Sequence, residues 1–235
     1  MKRKQRLTAL VLALLILSAL YYAGSYYRAD GKALAALESG GEVRVVQTDF
    51  GWFFDGPSRE NALIFYPGGK VEETAYAPLL RLLAGQETDV FLVKMPLRLA
   101  VLSPDRADAV LERYHYDNWY LGGHSLGGAM AARYAAGHGG QLRGLLLLAA
   151  YPTRALPEGL RVLSVYGSED GVINREKLAA GEQFFPAGVQ ICEIPGGNHA
   201  QFGSYGPQTG DGDARISPEE QWEETAALAA EFLAS

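Results

Sequence analysis

The sequence predicts an α/β domain, in which a mostly parallel central sheet carries helices on both of its faces. After an N-terminal segment, short apolar runs alternate with helical stretches of about a dozen residues, and this alternation is typical of parallel sheets. Some runs, such as "LLLLAA" at 145–150, are apolar at every position, which indicates strands that are buried on both sides.

The elements of this domain can be assigned in order along the chain. "EVRVVQTDFGWFF" predicts an opening hairpin with its turn near Asp49 to Gly51. The further expected strands are "NALIFYPGG", "TDVFLVKMP", "NWYLGG", "LRGLLLLAAYP", "LRVLSVYGSED" and "GVQICEIPGG". The expected helices are "VEETAYAPLLRLLAG", "SPDRADAVLERY", "SLGGAMAARYAAG", "NREKLAAGEQFF" and "SPEEQWEETAALAAEFLA". The second of these should begin at Ser103, with Pro104 in its first position.

Composition limits the classes of partner. The chain has 235 residues, 48% of them apolar, which suits one domain of roughly 200 residues with an appendage. Its net charge is -6 and it has no basic cluster after residue 6, so nucleic acid is not an expected partner. Cys192 is the only cysteine, and the four histidines show no paired spacing. We therefore expect no disulfide, no metal site and no cofactor.

The N-terminal 27 residues are expected to form a membrane anchor. "MKRKQR" carries four positive charges, and Leu7 to Tyr27 is uncharged, which is long enough for a helix to cross a bilayer core about 30 Å thick. The basic side predicts a cytoplasmic N-terminus, a linker at 28–41 and an extracytoplasmic domain at 42–235. The alternative is a signal peptide cleaved at Ala23-Gly24-Ser25, which would give a secreted protein.

Catalytic residues are expected at the carboxyl ends of the strands, where sites form in such sheets. "GHSLG", Gly123 to Gly127, lies between a predicted strand and a predicted helix. It fits the G-x-S-x-G pattern that exposes a serine nucleophile on a tight turn, and here that serine is Ser125. A serine at a helix start can also act simply as an N-cap.

A neutral serine needs a base, and the base needs an orienting carboxylate. His115 and His124 are too close to Ser125 in the chain to reach its hydroxyl, and His138 is expected as a cation at a helix end. His199 follows the last strand and is the predicted base. Asp170, three residues after the strand-ending Gly167, is favoured over its neighbour Glu169 as the orienting acid.

An oxyanion hole formed by two backbone N–H groups would complete the site. Leu126, directly after the nucleophile, is expected to supply one donor. The loop after "ALIFYPGGK" should supply the other, with Gly69 the favoured donor and Lys70 the alternative.

The motifs "YPGGK", "GGHSLGG", "YGSEDG" and "GGNHAQFG" occur in the order found in bacterial α/β-hydrolases, and the chain resembles them over roughly residues 43 to 233. It is similar to the small esterase-like and dienelactone-hydrolase-like branch, although the nucleophile is serine where dienelactone hydrolases use cysteine. The short connection "AAYPTRALPEGL" implies an enzyme without a lid. The resemblance implies hydrolysis of a small-molecule ester or thioester by a Ser125–His199–Asp170 triad through an acyl-enzyme. An acyltransferase and a non-catalytic binding protein are the alternatives.

Overall fold

The computed structural model describes residues 2–57 and 59–234 as an eight-stranded sheet with flanking helices. The strands are β1 Arg44–Gln47, β2 Gly51–Asp55, β3 Asn61–Tyr66, β4 Asp89–Val93, β5 Asn118–His124, β6 Gly144–Leu148, β7 Arg161–Gly167 and β8 Gln190–Ile194. The α-helices are α1 Lys2–Gly24, α2 Gly31–Ala35, α3 Ala77–Ala84, α4 Asp108–Leu111, α5 Leu126–His138, α6 Arg175–Gly181 and α7 Pro218–Ala234.

The strand order is β1-β2-β4-β3-β5-β6-β7-β8. β2 pairs antiparallel with both β1 and β4, and β3 to β8 run parallel to one another. The predicted parallel sheet and its opening hairpin are therefore confirmed. Because β5 lies between β3 and β6, its carboxyl end is at the centre of one edge of the sheet.

Each face of the sheet packs on its own apolar cluster. Leu145 and Leu147 of β6 join a cluster with residues of α5, whereas Leu146 and Leu148 join residues of α3 and α7 on the opposite face. This alternation follows from the two-residue period of a strand. Every position of β6 is consequently buried, as its uninterrupted apolar sequence predicts.

The helix expected at 103–114 is much shorter in the structure. Only α4, Asp108–Leu111, is helical, and the residues before it form turns. The buried hydroxyl of Tyr66 donates to the carbonyl of Pro104 and accepts the N–H of Ala107, both at 2.8 Å. These bonds tie the segment to β3 in place of the first helical turn.

The chain between α1 and β1 packs against the domain. Tyr27 forms a parallel bridge with Val71, in which the Tyr27 N–H donates to Lys70 O at 2.8 Å. Asp30 caps α2 and accepts the Ser204 hydroxyl at 2.7 Å. The segment expected as a linker thus contains a short helix that is held on the loops of the domain.

α1 covers most of the predicted anchor. Within residues 2–57 and 59–234, no helix combines the length and the apolar character needed to span a membrane. The uncharged run from Leu7 to Tyr27 includes side chains that lie outside this description, at positions 15, 19, 20 and 23.

Candidate active site

Ser125 occupies a strained turn between β5 and α5. Its backbone φ of 52° and ψ of -122° lie outside the regions that a residue with a side chain prefers. Its N–H donates to Leu148 O at 2.9 Å, which prolongs the pairing of β5 with β6. The Ser125 side chain makes no capping bond to α5. The N-cap alternative therefore does not explain this serine.

Glycines allow α5 to start directly against β3 and β5. A Cβ added at Gly127 would lie 2.3 Å from the carbonyl oxygen of Tyr66, and one at Gly123 would lie 2.7 Å from the Gly128 nitrogen. Both distances are far below van der Waals contact, so no larger residue fits at either position without a backbone shift. This close packing holds the tight turn that carries Ser125.

His199 and Asp170 form a buried hydrogen-bonded pair. His199 Nδ1 lies 2.8 Å from Asp170 Oδ2, and the two residues are 1% and 6% exposed. The other carboxylate oxygen of Asp170 accepts the N–H groups of Val172 and Ile173 at 2.9 and 2.8 Å. Because an ionised carboxylate can only accept, Nδ1 carries the proton and Nε2 is the basic nitrogen of the ring.

Nε2 of His199 is buried and has no hydrogen-bond partner in the described part of the chain. No hydrogen bond joins it to Ser125 Oγ among these residues. The residue next to Ser125 does contact the proposed base: the rings of His124 and His199 pack at a tilt of 51°, with their centroids 4.4 Å apart. Catalytic hydrogen bonds are often long without substrate and shorten in the reacting complex.

Glu169, the alternative acid, is bonded elsewhere. Its carboxylate lies 3.2 Å from Arg215 Nε and accepts the Ser168 hydroxyl at 3.2 Å. Of the two acidic residues in the "YGSEDG" motif, Asp170 is the one that contacts His199.

The remaining histidines do not contact Ser125. His138 lies at the end of α5, stacks on Tyr134 and bonds the Tyr134 carbonyl at 3.0 Å through Nδ1. His115 is exposed. Neither residue is positioned to act as the base.

The loop after β3 brings Gly69 against Leu126. A Cβ added at Gly69 would lie 2.9 Å from Leu126 Cδ2, so the two residues named as oxyanion donors are in contact. The N–H of Lys70, the alternative donor, bonds Arg98 O at 2.9 Å. The Lys70 N–H therefore already has an acceptor.

The sequence did not reveal a buried polar network beneath this loop. The Tyr76 hydroxyl accepts the Gly68 N–H at 3.0 Å and lies 2.7 Å from His124 Nδ1. Burial raises the pKa of Tyr76 above its usual range. Burial, with a smaller contribution from the neighbouring His199, lowers the pKa of His124 well below 6.5. Tyr76 therefore keeps its proton, and its hydroxyl is hydrogen-bonded to the ring of a neutral His124.

A signal for this network was present in the sequence. His124 occupies the variable position of the G-x-S-x-G pattern, directly after the predicted strand "NWYLGG" of a sheet expected to carry helices on both faces. A histidine in such a position needs a polar partner. The sequence alone does not identify that partner, because Tyr76 lies 48 residues away.

A cavity of about 320 Å³ opens beside Ser125. Its wall is mostly apolar and comes from the start of α5, the β6–β7 connection and the loop after Asp170. Lining residues include Leu126, Ala129, Ala150, Tyr151, Val172 and Asn174. The β6–β7 connection, residues 149–160, holds neither helix nor strand.

A strained serine at the end of a central parallel strand, with a His–Asp pair on loops at the same edge, defines the nucleophile-elbow class of α/β proteins. The sequence model described as "Alpha/beta hydrolase family" matches residues 62–223. The chain belongs to the alpha/beta hydrolase family, as its resemblance predicted. A comparison with curated proteins found no significant sequence match.

Solved structures share the fold at low sequence identity. A carboxylesterase from Mesorhizobium loti is 17% identical, with 83% of this chain and 100% of that one covered and a TM-score of 0.55. A dienelactone hydrolase from Anabaena variabilis is 14% identical, with 82% and 97% covered and a TM-score of 0.57. A membrane phospholipase A is 14% identical, with 97% and 99% covered and a TM-score of 0.60. At these identities the likeness concerns the fold.

Proposed function

We propose that the protein is a serine hydrolase that cleaves a carboxylic ester or thioester through an acyl-enzyme. Ser125 is the nucleophile, His199 the general base and Asp170 the group that orients it. The observation that carries the proposal is the buried His199–Asp170 pair, which leaves Nε2 as the basic nitrogen at the sheet edge that exposes Ser125.

The proposed reaction has two halves. Ser125 Oγ attacks the carbonyl carbon of the ester while its proton passes to His199 Nε2. The N–H groups of Gly69 and Leu126 stabilise the resulting oxyanion. The intermediate then expels the alcohol, which takes the proton from His199, and leaves the acyl group on Ser125. In the second half, water attacks the acyl carbon while its proton passes to His199 Nε2. The bond from that carbon to Ser125 Oγ then breaks, His199 gives the proton to Ser125 Oγ, and the acid leaves.

The surroundings of Ser125 support a small ester as substrate. The adjacent cavity of about 320 Å³ has a largely apolar wall, and the short β6–β7 connection supplies no lid over it. Two solved structures with this fold are a carboxylesterase and a dienelactone hydrolase, which agrees with hydrolysis of a carboxylic ester.

A fluorophosphonate probe tests the chemistry, because it reacts with an activated serine. The purified wild type should be labelled, and Ser125→Ala should abolish the label. Labelling that survives in Ser125→Ala would contradict the assignment of the nucleophile. A wild type that resists the probe would favour the alternative of a binding protein without catalysis. Product analysis with added alcohols separates hydrolysis from the second alternative, acyl transfer.

The proposal for the N-terminus rests on the sequence. Four positive charges precede the uncharged run from Leu7 to Tyr27, and a solved protein named as a membrane phospholipase matches 97% of this chain. Residues 1–27 would anchor the chain, residues 28–41 would follow as a linker, and the hydrolase domain at 42–235 would lie outside the cytoplasm. Cleavage near Ala23 and secretion of the domain is the alternative.

Cell fractionation decides between these locations. An anchored protein stays with membranes after a high-salt wash, and protease added from the outer side digests its domain. A soluble form that begins near Tyr26 would establish cleavage. A full-length protein in the cytoplasmic fraction would contradict both.

A further inference from the structure

Asp211 binds four backbone N–H groups with one carboxylate. Oδ1 accepts from Gly171 at 3.1 Å, from His199 at 3.2 Å and from Gly212 at 2.9 Å. Oδ2 accepts from Ala200 at 2.8 Å. A carboxylate forms stronger hydrogen bonds with N–H groups than a neutral acceptor does.

Three of these donors, all except Gly212, belong to the two loops that carry the proposed acid and base. Gly171 directly follows Asp170, and Ala200 directly follows His199, whose own N–H is also bound. The Asp170 loop is in close contact with the loop that carries Asp211, since a Cβ added at Gly171 would lie 2.7 Å from the carbonyl oxygen of Gly210. Asp211 is therefore a direct bridge between the backbones on either side of the His199–Asp170 hydrogen bond.

We propose that Asp211 is a positioning residue that holds Asp170 and His199 at hydrogen-bonding distance. Its catalytic consequence rests on the proposed function. Asp211 touches backbone N–H groups and not the His199 ring, so it acts through the loops. Its carboxylate is directed to N–H groups of the chain, and in the described residues it forms no ion pair.

Asp211→Asn removes the charge and one acceptor with little change of shape. The amide NH₂ would face an N–H group that now has no acceptor. A small displacement of a catalytic group can lower the rate on the order of 100-fold. We expect kcat of Asp211→Asn to fall about 10- to 100-fold with KM nearly unchanged, and Asp211→Ala to fall at least as far.

Asp213→Asn is the matched control. Asp213 lies two residues further along the same loop, is exposed, and makes no hydrogen bond or ion pair within residues 2–57 and 59–234. The same charge is removed, but no bridge is broken. This variant should keep the wild-type kcat.

Amide hydrogen exchange supplies a measurement that does not depend on activity. In Asp211→Asn the amides of Gly171, His199 and Ala200 should exchange faster, while amides of the central strands and the melting temperature stay close to those of the wild type. Local acceleration together with a loss in kcat supports the proposal.

Three results would overturn it. In Asp211→Asn, exchange at the three amides could stay unchanged. Exchange could instead rise throughout the domain while the melting temperature falls. Finally, exchange could rise only at the three amides while kcat stays at the wild-type value. A wild type that neither hydrolyses esters nor reacts with the fluorophosphonate would defeat the proposed function instead. The exchange pattern would then still decide whether Asp211 holds the two loops together.

Discussion

The hydroxyl of Tyr76 lies 2.7 Å from His124 Nδ1 and links the proposed nucleophile loop to the proposed oxyanion loop. The same hydroxyl accepts the N–H of Gly68, the neighbour of Gly69. His124 precedes Ser125, and its ring packs at a tilt against the ring of His199. Tyr76 thus connects the loop after β3 to the turn that carries Ser125, and the His124 ring extends the contact to His199.

Tyr76→Phe should therefore lower both activity and stability. The Gly68 N–H would lose its acceptor, which costs about 1–3 kcal/mol for a buried donor. Loss of a direct oxyanion donor costs 10²–10³-fold in kcat, so displacing its neighbour should cost less, about tenfold. Steady-state kinetics and denaturant unfolding measure the two effects.

Tyr120→Phe is the control for that change. Tyr120 is also buried, and its hydroxyl donates to Leu233 O at 2.9 Å on the far side of the domain. This variant should lose stability and keep kcat. Equal losses of kcat in both variants would show that Tyr76 acts only through global stability.

His124 should make the fold sensitive to mild acid. Its pKa in the folded protein is lowered by burial to well below the 6.5 of an unfolded chain. At a pH between these two pKa values, His124 binds a proton in the unfolded state but not in the folded state. The free energy of unfolding is therefore undiminished above pH 6.5 and declines as the pH falls below it. The melting temperature should drop from pH 7 to 5, and His124→Gln should reduce that slope. An unchanged slope in the variant would rule out His124 as the cause.

Asp170→Asn should be far more damaging than Glu169→Gln. The asparagine can no longer fix the tautomer and orientation of His199, and a comparable change in a serine protease lowers kcat about 10⁴-fold. Glu169 contacts Arg215 and Ser168, so its replacement should leave kcat within a few-fold of wild type. Kinetics with a short p-nitrophenyl ester compare the two. A severe loss in Glu169→Gln with a mild one in Asp170→Asn would reverse the assignment.

Acyl-chain preference should level off after a few carbons. Each methylene that is buried contributes about 0.8 kcal/mol, roughly a fourfold gain in kcat/KM, as long as there is apolar surface to bury it. The cavity of about 320 Å³ beside Ser125 offers limited surface. p-Nitrophenyl esters from acetyl to palmitoyl provide the test. A kcat/KM that climbs steadily to palmitoyl would require a deep acyl tunnel.

The fold was predictable because its signals are local. Apolar runs and helical stretches alternate regularly, and the glycines around Ser125 mark the turn that the structure contains. The choice of Asp170 over Glu169 was also available from the position of Asp170 after β7. Its hydrogen bond to His199 agrees with that choice.

Other features depend on contacts between distant parts of the chain. The helix expected from Ser103 is shortened because Tyr66, on a separate strand, bonds the backbone there. The roles of Tyr76 and Asp211 likewise arise from loops that meet only in the fold. A tyrosine in a helical stretch and an aspartate in a glycine-rich loop look like ordinary core and surface residues in sequence.

The central claim is that Ser125 and His199 act as one catalytic unit, and a double-mutant comparison tests it most directly. Ser125→Ala, His199→Ala and the double variant are each assayed for kcat on a short p-nitrophenyl ester. Residues that act together are strongly non-additive. We predict that each single change lowers kcat by several orders of magnitude and that the double variant is little worse than either. Losses that multiply in the double variant, or a single variant with near wild-type kcat, would contradict the account.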